Sequence, residues 1–259
     1  MTDTQEYDIK PFDANLINPR EDNYNSVGGS KIIVIGKAGT GKSTLIRYLL
    51  FLKRGIIPVG MVISGTEDSN YFYSHVFPPL FVHDEYDEEI IKKFIKRQKY
   101  ANEHIPENPW ALLLLDDCTE DKKIFSSKWQ QSLFKNGRHW KLLYILSLQH
   151  ATDIPPAIRT NVDGVFIFRE TNENNLKNIY TNYAGVIPKF ELFKAYMAQV
   201  TGDYTALYID NAAQDSGEWY EHVYYWKVPQ MDAKDMKFGC HEYIEFGKQR
   251  YNDRHSKEV

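Results

Sequence analysis

Lys31–Thr44 reads KIIVIGKAGTGKST. Its first half is a short run of β-branched, apolar residues, the pattern of a strand buried on both faces of a parallel sheet. Its second half, Gly36-Lys37-Ala38-Gly39-Thr40-Gly41-Lys42-Ser43, is GxxxxGK[ST] without a mismatch. It lies between a predicted strand and a predicted helix, the context that the motif requires. Glycines let such a loop curl so that backbone N–H groups converge on phosphate oxygens, and the start of the helix adds partial positive charge. Residues Gly36 to Thr44 are therefore the candidate ATP-binding loop. Lys42 is placed to bridge the β- and γ-phosphates, and Ser43 to ligate Mg²⁺.

Outward from this loop, the pattern alternates. A helix is predicted over Lys42–Arg54 with Gly55 as its stop, then a strand over 59–64 and a long loop through Pro78 and Pro79. The segment 83–104 leads with acidic and trails with basic residues, which suits a helix dipole. Glu88 with Lys92 and Glu89 with Lys93 are spaced for i,i+4 pairs. Further strands are predicted at 110–117, 142–148 and 164–168, with a helix near 125–136. Residues 172–200 read as two helices split near Gly185 and Pro188. The aromatic runs 204–210 and 222–228 suggest a late β-hairpin. Alternation of this kind predicts an α/β fold, a mainly parallel sheet flanked by helices. Residues 1–30 read as an N-terminal arm, 31–228 as the P-loop domain and 229–259 as a charged tail, its last twenty or so residues loosely held.

Composition agrees with a packed chain. Of 259 residues, 42% are hydrophobic and 25% charged, which favours a core over disorder. The net charge of −4 excludes a uniformly basic nucleic-acid coat, so any DNA contact must be local. Two cysteines, Cys118 and Cys240, form no disulfide or zinc pattern. The start MTDTQEYDIK lacks the apolar stretch of a signal peptide, and no apolar run is long enough for a membrane span. A soluble intracellular protein in a reducing compartment is expected.

The strand at 112–117, LLLLDD, carries Asp116 to its C-terminal end, the edge where open parallel sheets bind ligands. Asp116 is the candidate Mg²⁺ carboxylate. Asp117 beside it can polarise water against the γ-phosphate as a general base, or cap a turn. The stretch GRHWKLLYILSLQH, residues 137–150, has a polar residue at each end of a buried strand. Gln149 falls on the phosphate edge, where it either contacts the γ-phosphate or the attacking water, or simply caps a turn. Arg138 lies at the other end, about 25–35 Å away for a largely extended chain. It is either a surface arginine or one that acts on a neighbouring subunit's ATP. Arg159, in DIPPAIRTNVD, either senses phosphate, reaches across an interface, or pairs with Asp163. The run KKFIKRQK, with five basic residues in eight, faces a phosphate backbone or simply solvent. The basic tail segment KQRYNDRHSK is equally open.

Taken together, GKAGTGKST, SGTED, LLLLDDC, NGRHW, SLQH and PPAIRTNVDGVFIFRE resemble the poxvirus-type genome-packaging ATPases of large DNA viruses and virophages, within the FtsK/HerA superfamily. The resemblance runs from about residue 31 to 228. It implies a RecA-like (ASCE) P-loop NTPase core with the 142–148 strand beside the phosphate-loop strand. It also implies a homo-oligomeric ring, of five or six subunits, that pumps double-stranded DNA into a capsid or portal vertex, and a location in viral factories or virions. By position it assigns Lys42 and Ser43 to the phosphate loop and Asp116 to the metal. Asp117 becomes the base, Gln149 the sensor and Arg138 the arginine finger. Many superfamily members carry Glu where this chain has Asp117. A P-loop nucleoside or nucleotide kinase and a nucleotide-dependent capsid assembly factor are the rival readings. A kinase needs no second acid after Asp116, and a binding module needs no base.

Overall fold

The computed structural model describes residues 9–118, 121–213, 217–229 and 236–251. In chain order the elements are β1 (Lys10–Pro11), β2 (Ser30–Ile35), α1 (Lys42–Lys53), β3 (Val59–Ser64), α2 (Glu67–Asn70), β4 (Val82–His83), α3 (Glu88–His104), β5 (Ala111–Asp116) and α4 (Lys128–Asn136). They continue with β6 (Leu142–Leu148), α5 (Pro156–Arg159), β7 (Gly164–Ile167), α6 (Glu173–Tyr183), α7 (Phe190–Val200), β8 (Thr205–Asp210), β9 (Val223–Lys227) and α8 (His241–Arg250). The strands form one sheet in the order β1-β9-β8-β7-β2-β6-β5-β3-β4. Only the β7–β8 and β8–β9 pairings are antiparallel. The expected mainly parallel sheet, the late hairpin and the β2–β6 adjacency are all present.

Strand geometry explains the two layers of core. Successive side chains point to opposite faces. Ile33 and Ile35 of β2 join Leu113, Leu115 and Leu146 on one face, covered by α3, α4, α6 and α7. Ile32 and Val34 join Leu112, Leu114 and Ile145 on the other, covered by α1 through Leu45, Ile46 and Leu49. The central strands must be apolar on both faces, which is why they read as unbroken hydrophobic runs.

Two expectations need correction. The tail is not loosely held over the described residues: α8 packs on the 78–81 loop, Tyr243 stacks on Phe81 at 4.6 Å, and its hydroxyl donates to Gly60 O at 2.6 Å. Phe238, just before α8, is fully buried against Phe77. Only the first part of the basic tail segment is described; its residues beyond 251, like residues 1–8 of the leader, lie outside the described residues. The second correction concerns α3, where the ion pair formed is Lys92 with Glu89 at i,i+3, at 3.1 Å.

The N-terminal arm is also packed. Phe12 contacts Phe166, Tyr208 and Trp226 with ring centroids 4.7–5.0 Å apart. Lys53, at the end of α1, is buried and donates to three arm carbonyls, Ala14 O, Ile17 O and Pro19 O, at 2.6–2.8 Å. Burial, aided by nearby Arg20, pulls the Lys53 ammonium down to about 8 from 10.5. The unfolded chain therefore holds a proton between those values that the folded chain has released. Stability should rise with pH across about 8 to 10.5, at roughly 1.4 kcal/mol per unit at most. Urea unfolding of wild type and Lys53→Met across this range measures it: the difference between the two should widen with pH in favour of wild type. A difference that stays flat contradicts this role.

Candidate active site

The parallel register brings four elements to one edge. Ile35 pairs with Leu148 and with Ile167, so Gly36, Gln149 and Phe168 follow side by side. Gly36 N–H donates to Leu148 O at 3.1 Å, which ties the first residue of the phosphate loop to the end of β6. Gly39 and Gly41 sit at φ 75° and 106°. Side chains rarely tolerate this backbone region, and the curl of the loop depends on it. Lys42 is buried, and its ammonium donates to Gly36 O at 2.7 Å and Lys37 O at 3.3 Å. The charge is thus held at the centre of the curled loop. Ser43 and Thr44 are in the first turn of α1. Lys37 forms an ion pair with Glu170 at 2.8 Å, and Glu170 also accepts from the Thr171 and Asn172 backbone and from Asn175. This fastens the outside of the loop to the end of β7.

Asp116 ends β5 and is 3% exposed. Its Oδ2 accepts from the Tyr73 hydroxyl at 2.6 Å. Burial pushes the Asp116 carboxyl above the usual carboxylate range, and the Tyr73 hydrogen bond opposes that rise. Tyr73 is positioned by Glu67, whose carboxylate accepts from the backbone N–H groups of Tyr73 and Ser74 at 3.0 and 2.8 Å. Asp116 Oδ1 and the Ser147 hydroxyl of β6 are buried with no hydrogen bond of ordinary length, although Ser147 lies near enough to the Asp116 carboxyl to help hold it down. Buried polar atoms left unpaired are costly, so an orphaned carboxylate oxygen near the phosphate loop fits a cation or its water. The residues present therefore suit Mg²⁺.

Asp117 turns out of the strand in left-handed backbone, φ 51°. Gln149 Nε2 donates to Asp117 Oδ1 at 3.4 Å, a long hydrogen bond between two side chains of the phosphate edge. Asp116, Asp117 and Gln149 are thus brought together with the loop. Arg138 is not. It precedes β6 at the opposite edge, where its backbone O accepts from Gly29 N–H at 2.8 Å and its side chain crosses Gly28. It is exposed and makes no ion pair among the described residues. Arg159 is also away from the phosphate loop. It closes α5 on the return path to β7, and its guanidinium donates to Ile154 O at 2.7 Å and to Asn182. The pairing of Arg159 with Asp163 is not formed: Asp163 instead binds Lys31, at 3.4 Å.

Sequence reading overlooked Tyr73, Ser147 and Glu170. Glu170 was within reach, since it follows the 164–168 strand on the same edge as Gln149. Tyr73 carries no local signal, because its partner is 43 residues away.

A parallel α/β sheet with this loop, this buried carboxylate and this strand-end glutamine defines a RecA-like P-loop ATPase. Residues 26–218 match the poxvirus A32 protein family, and the chain belongs to it. This is the family that the sequence resembles. Protein 075L of invertebrate iridescent virus 6 is 91% identical over 99% of this chain and 100% of its own length. Protein 015R of frog virus 3 is 38% identical over 92% of this chain and 74% of its own length. Among solved structures, the genome packaging NTPase B204 of Sulfolobus turreted icosahedral virus 2, bound to ATP-γS, superposes with a TM-score of 0.55. It is 18% identical and covers 76% of this chain and 96% of its own. At that identity the likeness is one of fold. Among the described residues no helix is long and apolar enough to cross a membrane.

The Tyr73 contact has a measurable cost. Tyr73→Phe keeps the ring and strands a second oxygen of Asp116. It should lower the free energy of unfolding by about 1–3 kcal/mol. Urea denaturation tests this, and a loss below about 0.5 kcal/mol would mean that the hydroxyl does not support the carboxylate.

Proposed function

We propose that the protein is a viral genome-packaging ATPase that moves double-stranded DNA into a capsid, hydrolysing ATP at the interfaces of a homo-oligomeric ring. The observation that carries this reading is the polarity of β6. Gln149 stands beside the phosphate loop and Asp117, while Arg138 stands exposed at the opposite edge, its guanidinium making no ion pair among the described residues.

The chemistry follows from these positions. Backbone N–H groups of Gly36–Thr44 cradle the β- and γ-phosphates, and Lys42 leaves its carbonyl partners to neutralise their oxygens. Ser43 and Asp116 would hold Mg²⁺, which when bound draws negative charge from the phosphate oxygens. Asp117 accepts a proton from a water that Gln149 orients. The water oxygen bonds to the γ-phosphorus, the bond to the β–γ bridging oxygen breaks, and ADP leaves with the electron pair. Charge spreads over the transferring phosphoryl group. Arg138 cannot neutralise it within its own subunit, so it acts on the neighbour's nucleotide. An arginine supplied in trans is worth about 10³–10⁵ in rate. Coupling each subunit's hydrolysis to its neighbour suits a motor that advances along DNA. Asp117 is one methylene shorter than Glu, so its proton transfer runs through a bridging water. Exposed Lys93, Lys96 and Lys99 of α3 are the candidate DNA-backbone contacts.

Complementation tests the shared site. Lys42→Ala has an intact Arg138, and Arg138→Ala has an intact phosphate loop. Each alone should lose at least about 10³-fold in ATP turnover, while mixtures recover measurable turnover in some interfaces. Mixtures as inactive as the single variants would refute the trans arrangement. Adding double-stranded DNA should raise wild-type turnover, and this stimulation should shrink with rising salt as phosphate contacts are screened. Transfer of phosphate to a nucleoside without DNA stimulation would identify a kinase instead.

A further inference from the structure

The nucleotide's triphosphate end is accounted for above; its base is not. The groups that act on the γ-phosphate, Asp116, Asp117 and Gln149, all lie on the β5–β6 side of β2. The sheet order places β7 and β8 on the other side of the same strand. A nucleotide whose γ-phosphate points toward β5 and β6 must therefore extend its base toward the ends of β7 and β8. There the structure has an open cleft of about 220 Å³ between the phosphate loop, at Thr40, and the turn that leads into β8. Arg169 lies along it and makes no ion pair among the described residues.

One side chain in this cleft has no structural explanation. Tyr204 is 66% exposed, yet it stands against the phosphate loop: a methyl group added to Gly41 would lie 3.1 Å from its ring. Asp203 and Tyr204 both adopt left-handed backbone, at φ 51° and 58°. Two consecutive non-glycine residues in this region are strained, and such strain concentrates at ligand clamps. The conformation is held from both sides. Thr205 N–H donates to Gly202 O at 2.9 Å, and Asp203 forms an ion pair with Lys227 of β9. The sheet thus spends a strained turn on presenting an aromatic ring to solvent, next to the loop that binds phosphate.

We propose that Tyr204 is the platform on which the base of the bound nucleoside triphosphate stacks, with Arg169 beside it on the wall of the cleft. The proposal rests on the nucleotide-binding reading of Gly36–Thr44 and adds the base subsite. Every base offers a π-face, so stacking of this kind tolerates different bases. The site should accept ATP and GTP with affinities that differ little, and should discriminate strongly against a triphosphate that has no base.

The test compares two ligands on the full-length protein by calorimetry in the presence of Mg²⁺: ATP-γS and inorganic tripolyphosphate. Tyr204→Ala should weaken ATP-γS about 5- to 150-fold, the range of one lost aromatic stack, and leave tripolyphosphate unchanged. Tyr204→Phe, which keeps the ring, should bind ATP-γS like wild type. Equal ATP-γS affinity in wild type and Tyr204→Ala overturns the proposal while leaving the phosphate-loop reading intact. So does a parallel loss of tripolyphosphate binding, which would mean that the variant has disturbed the loop itself. A Tyr204→Phe variant as weak as Tyr204→Ala would assign the contact to the hydroxyl and overturn stacking. Wild-type protein that binds neither ligand would defeat both readings together.

Discussion

The parallel pairing of β2 with β6 is the constraint on which the site depends. Six consecutive residue pairs, from Ser30 with Leu143 to Ile35 with Leu148, lock the two strands in register. A slip of one residue would turn every side chain to the opposite face, burying the wrong set and breaking both core layers. Because the register is fixed, so are both ends. Gly36 and Gln149 emerge together at one edge, and Gly29 and Arg138 are joined by a backbone hydrogen bond at the other. The separation of Gln149 and Arg138 is a property of strand length and direction, and no loop adjustment can bring them together.

Around this frame, the site is held by buried polar groups whose partners come from far along the chain. Asp116 is kept in place by Tyr73, and Tyr73 by Glu67, which folds the loop after β3 back over the end of β5. Glu170 fastens Lys37 from the other side. These contacts leave Asp116 with one satisfied oxygen and one orphaned oxygen. An unpaired buried oxygen is unfavourable in itself and is ordinarily retained where a ligand completes it. The same division recurs on the far flank of the loop, where the strained 203–204 turn gives up local stability to hold an exposed ring in place.

Much of this was legible in the sequence because the determining signals are local. The glycines and Lys42 occur within eight residues, and the strand patterns place Asp116, Asp117 and Gln149 by the single rule that parallel strands share a C-terminal edge. What was not legible is long-range. Tyr243 reaches Gly60 across 183 residues, and Lys53 reaches arm carbonyls more than 30 residues back. The polar, charged composition around α8 looked like a solvated tail because few of its described residues bury deeply, namely Met236, Phe238, Tyr243 and Gly247. The surroundings of Arg159 were not legible for a related reason. The sequence shows that it follows Gln149, but not that α5 has already turned back toward the start of β7 before it is reached.

On the proposed reading a single subunit lacks part of its own catalytic apparatus, because β6 carries Arg138 away from the phosphate-loop edge at which Gln149 stands. ATP turnover per subunit, measured over a wide range of protein concentration at saturating ATP, tests this directly. Turnover per subunit should be near zero in dilute protein, rise steeply as subunits associate, and level off once assembly is complete. A value that stays constant down to concentrations at which the protein is monomeric would contradict the account.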